Sequence, residues 1–121
     1  MAEYVVAYGN LRRGLQYHQQ YHGESVYHST ETIHGLKMYY NPEQDYPFVV
    51  RSEGSIVGEI YSVSQQQLQY IDAFTTLDNE FVREKITIGE LNAWVYVYAR
   101  ERNPTAVEVP NGDWAAHQSH I

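Results

Sequence analysis

Cysteine is missing from all 121 residues. Its absence excludes disulfides, thiolate metal sites and a cysteine nucleophile. Long hydrophobic runs are missing too, and none approaches the ~18–20 residues of a membrane span. The opening Met1-Ala2-Glu3-Tyr4-Val5-Val6 has no basic segment ahead of a long apolar stretch, so it does not read as a secretory signal. A cytoplasmic protein is expected, with no membrane partner. Basic residues are few: eight Lys plus Arg face fifteen Asp plus Glu, for a formal charge of −7. Such a surface repels phosphate backbones, so nucleic acid is not an expected partner either.

What is present is globular. Apolar residues make up 43%, enough at this length for one core but not two. No repeat, low-complexity tract or linker divides the chain, so residues 1–121 are expected to form a single domain. Tyrosine is the abundant residue, with 12 copies. It joins an apolar ring to a polar tip, which suits half-buried strands and polar pockets.

Tyr4 to Tyr8 reads as a short buried strand that ends abruptly at Gly9-Asn10, a turn signal. Leu15 to Tyr21 is a short helical turn. Ser25 to Tyr40 alternates and is rich in Thr, Ile, Val and Tyr, with Gly35 inside it. It predicts one bent strand, or two joined at a bulge. After the loop Asn41–Asp45, strands are expected over Phe48–Val50, closed by Glu53-Gly54, and over Ile56–Val63. Ser64-Gln65-Gln66-Gln67 has the form of a capping box and opens the main helix. Leu68, Ile71, Asp72 and Thr75 share one face of it, and it frays where the β-branched Thr75 and Thr76 meet. Phe81–Ile88 and Ala93–Tyr98 are strands of a hairpin turning at Gly89-Glu90. Pro104–Pro110 is extended, and Trp114 is expected as a lid on the core. The fold class is therefore α+β. Its mostly antiparallel, mixed sheet, bent by glycines, is expected to curl into a small β-barrel with one main helix and a short second one.

Three groups of residues are candidates for chemistry. Tyr8-Gly9-Asn10-Leu11-Arg12-Arg13-Gly14 follows a strand, and consecutive N–H groups at a glycine turn can cradle an anion such as a carboxylate. The plain alternative is a strand-exit loop with two solvated arginines. The glycine spacing fits neither a P-loop nor a dinucleotide fingerprint. His18 and His22 have the spacing of two metal ligands on one helix, but nothing completes a set, so surface or packing histidines are expected and no metal or cofactor. Asp72, Asp78, Glu80 and Glu84 offer carboxylates for acid–base work, or are solvated charges. Asp72, on the buried helix face, requires a hydrogen-bond partner. No Gly-x-Ser-x-Gly nucleophile elbow occurs.

At Tyr8-Gly9-Asn10-Leu11-Arg12 the chain resembles the γ-glutamylcyclotransferase-like (AIG2-like) family. Tyr46-Pro47-Phe48-Val49-Val50, Val57-Gly58-Glu59-Ile60-Tyr61, Leu68-Gln69-Tyr70-Ile71-Asp72, Phe81-Val82-Arg83-Glu84 and Ala93–Tyr98 continue the resemblance in order. It covers roughly residues 4–99 and leaves 100–121 as a C-terminal extension. Gly112-Asp113-Trp114 is similar to the family's small bacterial branch. The resemblance implies a small mixed barrel and a γ-glutamyl small-molecule ligand. It implies ligand contacts at Tyr8, Gly9, Asn10, Leu11, Phe81 and Tyr96, with backbone N–H groups of the loop holding the γ-glutamyl end. The family reaction is an internal aminolysis that releases 5-oxoproline and an amine, with a glutamate carrying the proton.

That glutamate position falls on Thr75, whether counted forward from Asp72 or back from Arg83. A threonine hydroxyl does not titrate near neutral pH. Phe81 also replaces the family's usual tyrosine. Glu80 and Asp78 are substitute candidates, although strand alternation would point Glu80 away from a pocket faced by Phe81. Three functions are expected in turn: a ligand-binding pocket without the usual acid–base group, a cyclotransferase with a relocated carboxylate, and an interaction module without a ligand.

Overall fold

The computed structural model describes residues 3–118. Its elements are β1 (Glu3–Ala7), α1 (His18–His22), β2 (Val26–Tyr40), β3 (Pro47–Val63), α2 (Gln65–Thr75), β4 (Phe81–Ile88), β5 (Leu91–Tyr98), β6 (Val107–Glu108) and α3 (Trp114–Gln118). A 3-10 turn over Pro110–Gly112 precedes α3.

All six strands form one sheet in the order β4-β5-β1-β3-β2-β6. Only β1 and β5 run parallel, and the other pairs are antiparallel. The sheet is mixed, mostly antiparallel and curled into a half-barrel. Two side-chain contacts mark the curl. Phe48 at the start of β3 stacks on Tyr98 at the end of β5, with ring centres 4.1 Å apart. Arg51 of β3 donates through Nε to Glu84 of β4 at 2.9 Å, although these strands are not neighbours in the sheet.

Two sequence expectations need correcting. Glu53-Gly54 does not end a strand: β3 runs from Pro47 to Val63, pairing with β2 up to Arg51 and again from Ser55, and residues 52–54 bulge out of the register opposite Gly35. The antiparallel partner holds both sides of this irregularity in one strand pair, so the polar stretch bends the strand without ending it. A third short helix, α3, follows the extended segment, of which only Val107–Glu108 pairs in the sheet. The bulge near Gly35 is present between His34 and Leu36, where Gly35 has φ +87°. That backbone region favours glycine.

The core has two parts. Val6, Ile33, Leu36, Met38, Val49, Ile56, Ile60 and Val95 fill the inside of the curl, and Val109 and Trp114 join them. Trp114, expected as a lid on the core, is itself packed into it at 1% exposure. On the other face Leu68 and Ile71 of α2 pack on Val5, Ala7, Tyr61 and Val63. Helix α2 opens with both reciprocal bonds of the capping box between Ser64 and Gln67. It ends at Thr75, after which Thr76 turns its hydroxyl back to the Asp72 carbonyl at 2.7 Å. The helix thus stops where the two β-branched residues meet, and places Thr75 beside the end of β1.

Candidate functional site

β1 leaves the sheet at Ala7 and turns sharply. The Arg12 N–H donates to the Gly9 carbonyl at 3.0 Å, closing the turn. Gly9 packs closely against the start of β3. A Cβ would lie 3.0 Å from Pro47 Cγ, so a side chain would require the turn and the Pro47 ring to shift by a few tenths of an ångström.

The carbonyls of this turn are all occupied. Gly9 accepts from Arg12, Asn10 accepts from the Tyr17 N–H at 2.9 Å, and Leu11 accepts from His18 Nδ1 at 2.8 Å. The last bond requires the His18 proton on Nδ1. The donors are not occupied: no described residue accepts a hydrogen bond from the N–H of Gly9, Asn10 or Leu11. A turn with satisfied acceptors and consecutive free donors suits a negatively charged or strongly polar oxygen.

The side chains of the turn point into structural work. Tyr8 is buried and donates its hydroxyl to the Tyr96 carbonyl at 2.7 Å. Asn10 Nδ2 donates to the Asp45 carbonyl at 2.8 Å, and Asn10 Oδ1 accepts from Trp114 Nε1 at 2.8 Å. Arg12 is not one of two solvated arginines. It is 7% exposed and donates to Glu59 Oε2 and Asp113 Oδ1, each at 2.9 Å. Glu59 Oε1 accepts from the Arg13 N–H at 2.9 Å and from the Tyr61 hydroxyl at 2.7 Å. Burial alone would raise the Glu59 carboxyl, but these donors and the Arg12 charge hold it below its ordinary value. Burial and the neighbouring carboxylate push the Tyr61 phenol up.

The turn forms one wall of a cleft of about 400 Å³. Nine of the residues singled out from the sequence line it: Tyr8, Gly9, Asn10, Leu11, Thr75, Asp78, Glu80, Phe81 and Tyr96; Arg12, Arg13, His18, His22, Asp72 and Glu84 do not. Glu80 directly precedes β4, its carbonyl accepting from the Ala99 N–H at 2.7 Å, and contrary to the alternation argument it and Phe81 both line the cleft. Its carboxylate is 20% exposed, accepts from the Tyr46 hydroxyl at 2.9 Å and lies 3.7 Å from Arg100. Burial and Glu80 raise the Tyr46 phenol to about 12. Asp78 is exposed, and its carbonyl accepts from Arg100. Asp72 does not line the cleft. It is half-exposed beside Arg83, at 3.7 Å.

Among the described residues no group of three or more His, Asp or Glu is placed to hold a metal ion. His22 is buried, stacks on Tyr61 with ring centres 4.6 Å apart and meets the Ser25 hydroxyl at 2.9 Å. No helix of the described residues is long and apolar enough to cross a membrane.

Sequence reasoning missed the structural roles of Arg12, Glu59 and Asp113, and the cleft residues Tyr17, Tyr46 and Phe74. Glu59 carried a signal: a charge inside the apolar run from Ile56 to Val63 must be paired. The others carried none, because their roles depend on contacts far along the chain.

Comparison with known proteins agrees with this geometry. The sequence profile of the family described as "Gamma-glutamyl cyclotransferase, AIG2-like" matches residues 5–116, which includes Gly112-Asp113-Trp114. A Methanocaldococcus jannaschii protein named "Putative gamma-glutamylcyclotransferase" is 32% identical over 120 residues, covering 93% of this chain and 95% of its own. The solution structure of YtfP from Escherichia coli superposes with a TM-score of 0.72 at 25% identity, covering 95% of this chain and 98% of that one. The crystal structure of an uncharacterized Pyrococcus horikoshii protein has the same fold, with a TM-score of 0.82 at 17% identity over 98% of this chain and 94% of that one. The chain belongs to the AIG2-like gamma-glutamyl cyclotransferase family.

Proposed function

We propose that the cleft binds a γ-glutamyl compound, or another amino-acid-like carboxylate, and that Thr75 stands where the family's proton-carrying glutamate is expected. The observation that carries this reading is the turn itself. Its carbonyls are bonded inward, while the N–H groups of Gly9, Asn10 and Leu11 have no acceptor among the described residues. These donors hold a carboxylate or amide oxygen without a cationic side chain, and no Lys, Arg or His lines the cleft. The open volume of about 400 Å³ speaks against a ligand-free interaction module.

In the family reaction the α-amine nitrogen of the γ-glutamyl group bonds to its own γ-carbonyl carbon. The carbon–nitrogen bond to the departing amine breaks, and one proton passes from the attacking to the leaving nitrogen. Thr75 offers a hydroxyl but no group that titrates in the useful range. Loss of such a group costs about 10²–10⁴-fold in rate. A second reading is favoured by the placement of Glu80. It lines the cleft, is largely shielded and is oriented by the Tyr46 hydroxyl. On that reading Glu80 carries the proton and the protein is an active cyclotransferase.

The test is 5-oxoproline release from γ-glutamyl amino acids, γ-glutamyl-ε-lysine and glutathione. It is run beside calorimetric titration with the same compounds. Binding without turnover, with product appearing in Thr75→Glu, establishes the first reading. Turnover by the unaltered chain that Glu80→Gln abolishes establishes the second. No binding of any of these compounds at millimolar concentration overturns both.

A further inference from the structure

We infer that the segment Val109–Gln118 completes the ligand site, with Asp113 and Trp114 acting as positioning residues for the Gly9–Leu11 turn through Arg12 and Asn10. The inference rests on the reading of that turn as the ligand's anchor.

The turn lies outside the sheet, and its unbonded donors are not held by strand pairing. Two of its side chains are instead fastened about a hundred positions downstream. Trp114 Nε1 donates to Asn10 Oδ1 at 2.8 Å, and Arg12 Nη1 donates to Asp113 Oδ1 at 2.9 Å. Both anchors are fixed. Trp114 is 1% exposed and packs between the Tyr40 and His117 rings, so its N–H is a rigid donor. Asp113 opens α3, where its Oδ1 also accepts from the Ala116 N–H at 3.1 Å. On the other side, Asn10 Nδ2 holds the Asp45 carbonyl, next to the cleft residues Tyr46 and Pro47. Asn10 therefore ties the turn to the opposite wall and to α3 at once.

Stability alone is a weak reason for this arrangement. Burying Arg12 and Glu59 is costly even when they are well paired, and apolar residues of similar size often serve a core as well. What the ion pairs and the Asn10 bridge supply is one defined shape of the turn. Arg12 cannot leave without taking the charged partner from both Glu59 and Asp113, and Asn10 cannot rotate without losing bonds to two separate segments. The side chains are drawn away, and the backbone donors remain for the ligand. Preorganisation of this kind appears as affinity, because the ligand does not have to order the turn.

The experiment compares binding of L-γ-glutamyl-L-alanine by calorimetry to the full chain, to Trp114→Phe and to Asp113→Asn. Ser64→Ala is the control, since it destabilises α2 without touching the turn. Trp114→Phe removes the N–H and keeps a ring in the core. Asp113→Asn keeps the shape and removes the charge. Each is expected to weaken binding about 10-fold, or about 1.4 kcal/mol. The amide signals of Gly9, Asn10 and Leu11 are expected to broaden or shift in both. Ser64→Ala is expected to bind as the unaltered chain does. Unchanged affinity in both positioning variants overturns the inference and leaves the cleft reading standing. An equal loss in Ser64→Ala overturns it too, because affinity would then follow stability. Failure of the unaltered chain to bind overturns the cleft reading and the inference with it.

Discussion

At Gly9 a single hydrogen atom in place of a side chain sets the distance between the two walls of the cleft. A methyl group there would meet Pro47 Cγ at 3.0 Å and Cδ at 3.1 Å, contacts tighter than carbon atoms ordinarily make. Gly9→Ala is expected to cost about 1–3 kcal/mol of stability through overpacking. Because the strain falls on the turn, ligand affinity is expected to drop by more than the stability change would suggest. Urea unfolding and calorimetry on the same variant separate the two effects. Thr75 and Glu80 carry the other decision at this scale. Both line the cleft, and only Glu80 brings a carboxylate. A gain of 5-oxoproline release in Thr75→Glu, of the order of 10²-fold or more, is the expected signature of a cleft that lacks only its proton carrier.

Among the elements, β3 anchors the turn, and α2 reaches the cleft only with its last turn. Helix α2 carries Thr75 at its last residue, and its other end is held by the Ser64–Gln67 capping box, with bonds of 3.1 and 3.0 Å. Ser64→Ala is expected to destabilise the protein by about 1 kcal/mol, read from the urea midpoint with an unchanged slope. In β3, Gly58 lies against β1. A Cβ would come within 2.7 Å of Val6 Cγ1 and 3.0 Å of Ile33 Cδ1, with no room on either side. Gly58→Ala is therefore expected to cost about 1–3 kcal/mol and to lower the melting temperature. Glu59 follows directly and points to the other face, where it gathers donors from the turn. One glycine and one glutamate thus set the close packing of β1 on β3 and the anchorage of the turn beyond it.

The whole molecule should show a pH dependence that its acidic composition does not by itself supply. Burial, with the nearby His18 as a lesser cause, lowers the His22 imidazole from 6.5 to about 4. Between those values the unfolded chain binds a proton that the folded chain refuses, so stability rises with pH across that window. The contribution is fully present above pH 6.5 and is lost as pH falls to about 4. It amounts to about 3 kcal/mol, at roughly 1.4 kcal/mol for each tenfold change in proton affinity. Glu59 adds a separate loss at lower pH. Its depressed carboxyl stabilises the fold above the ordinary value of 4.5, and that stabilisation disappears as pH falls below it. Unfolding free energies measured at pH 7 and pH 4.5 are expected to differ by about 2–3 kcal/mol, and by much less in His22→Phe. An equal difference in both proteins would assign the effect to other groups.

The sequence by itself determined the periodicities and the punctuation. Strand alternation, the Ser64 cap, the Gly89-Glu90 hairpin and the sharp stop after Tyr8 are local features, each set by a few neighbouring residues. They gave the mixed, mostly antiparallel sheet and the main helix. The ordered motifs from Tyr8 to Tyr98 pointed to the family. Tertiary structure decided what local rules do not reach. It kept β3 in one piece across Glu53-Gly54, because β2 pairs with it on both sides of the bulge there. It brought Glu80 into the cleft, where the hydroxyl of Tyr46, far away along the chain, donates to its carboxylate. It buried Arg12, because Glu59 and Asp113 approach from positions far apart in the chain. A charge is read as solvated until its partners are known, and only folding brings those partners together.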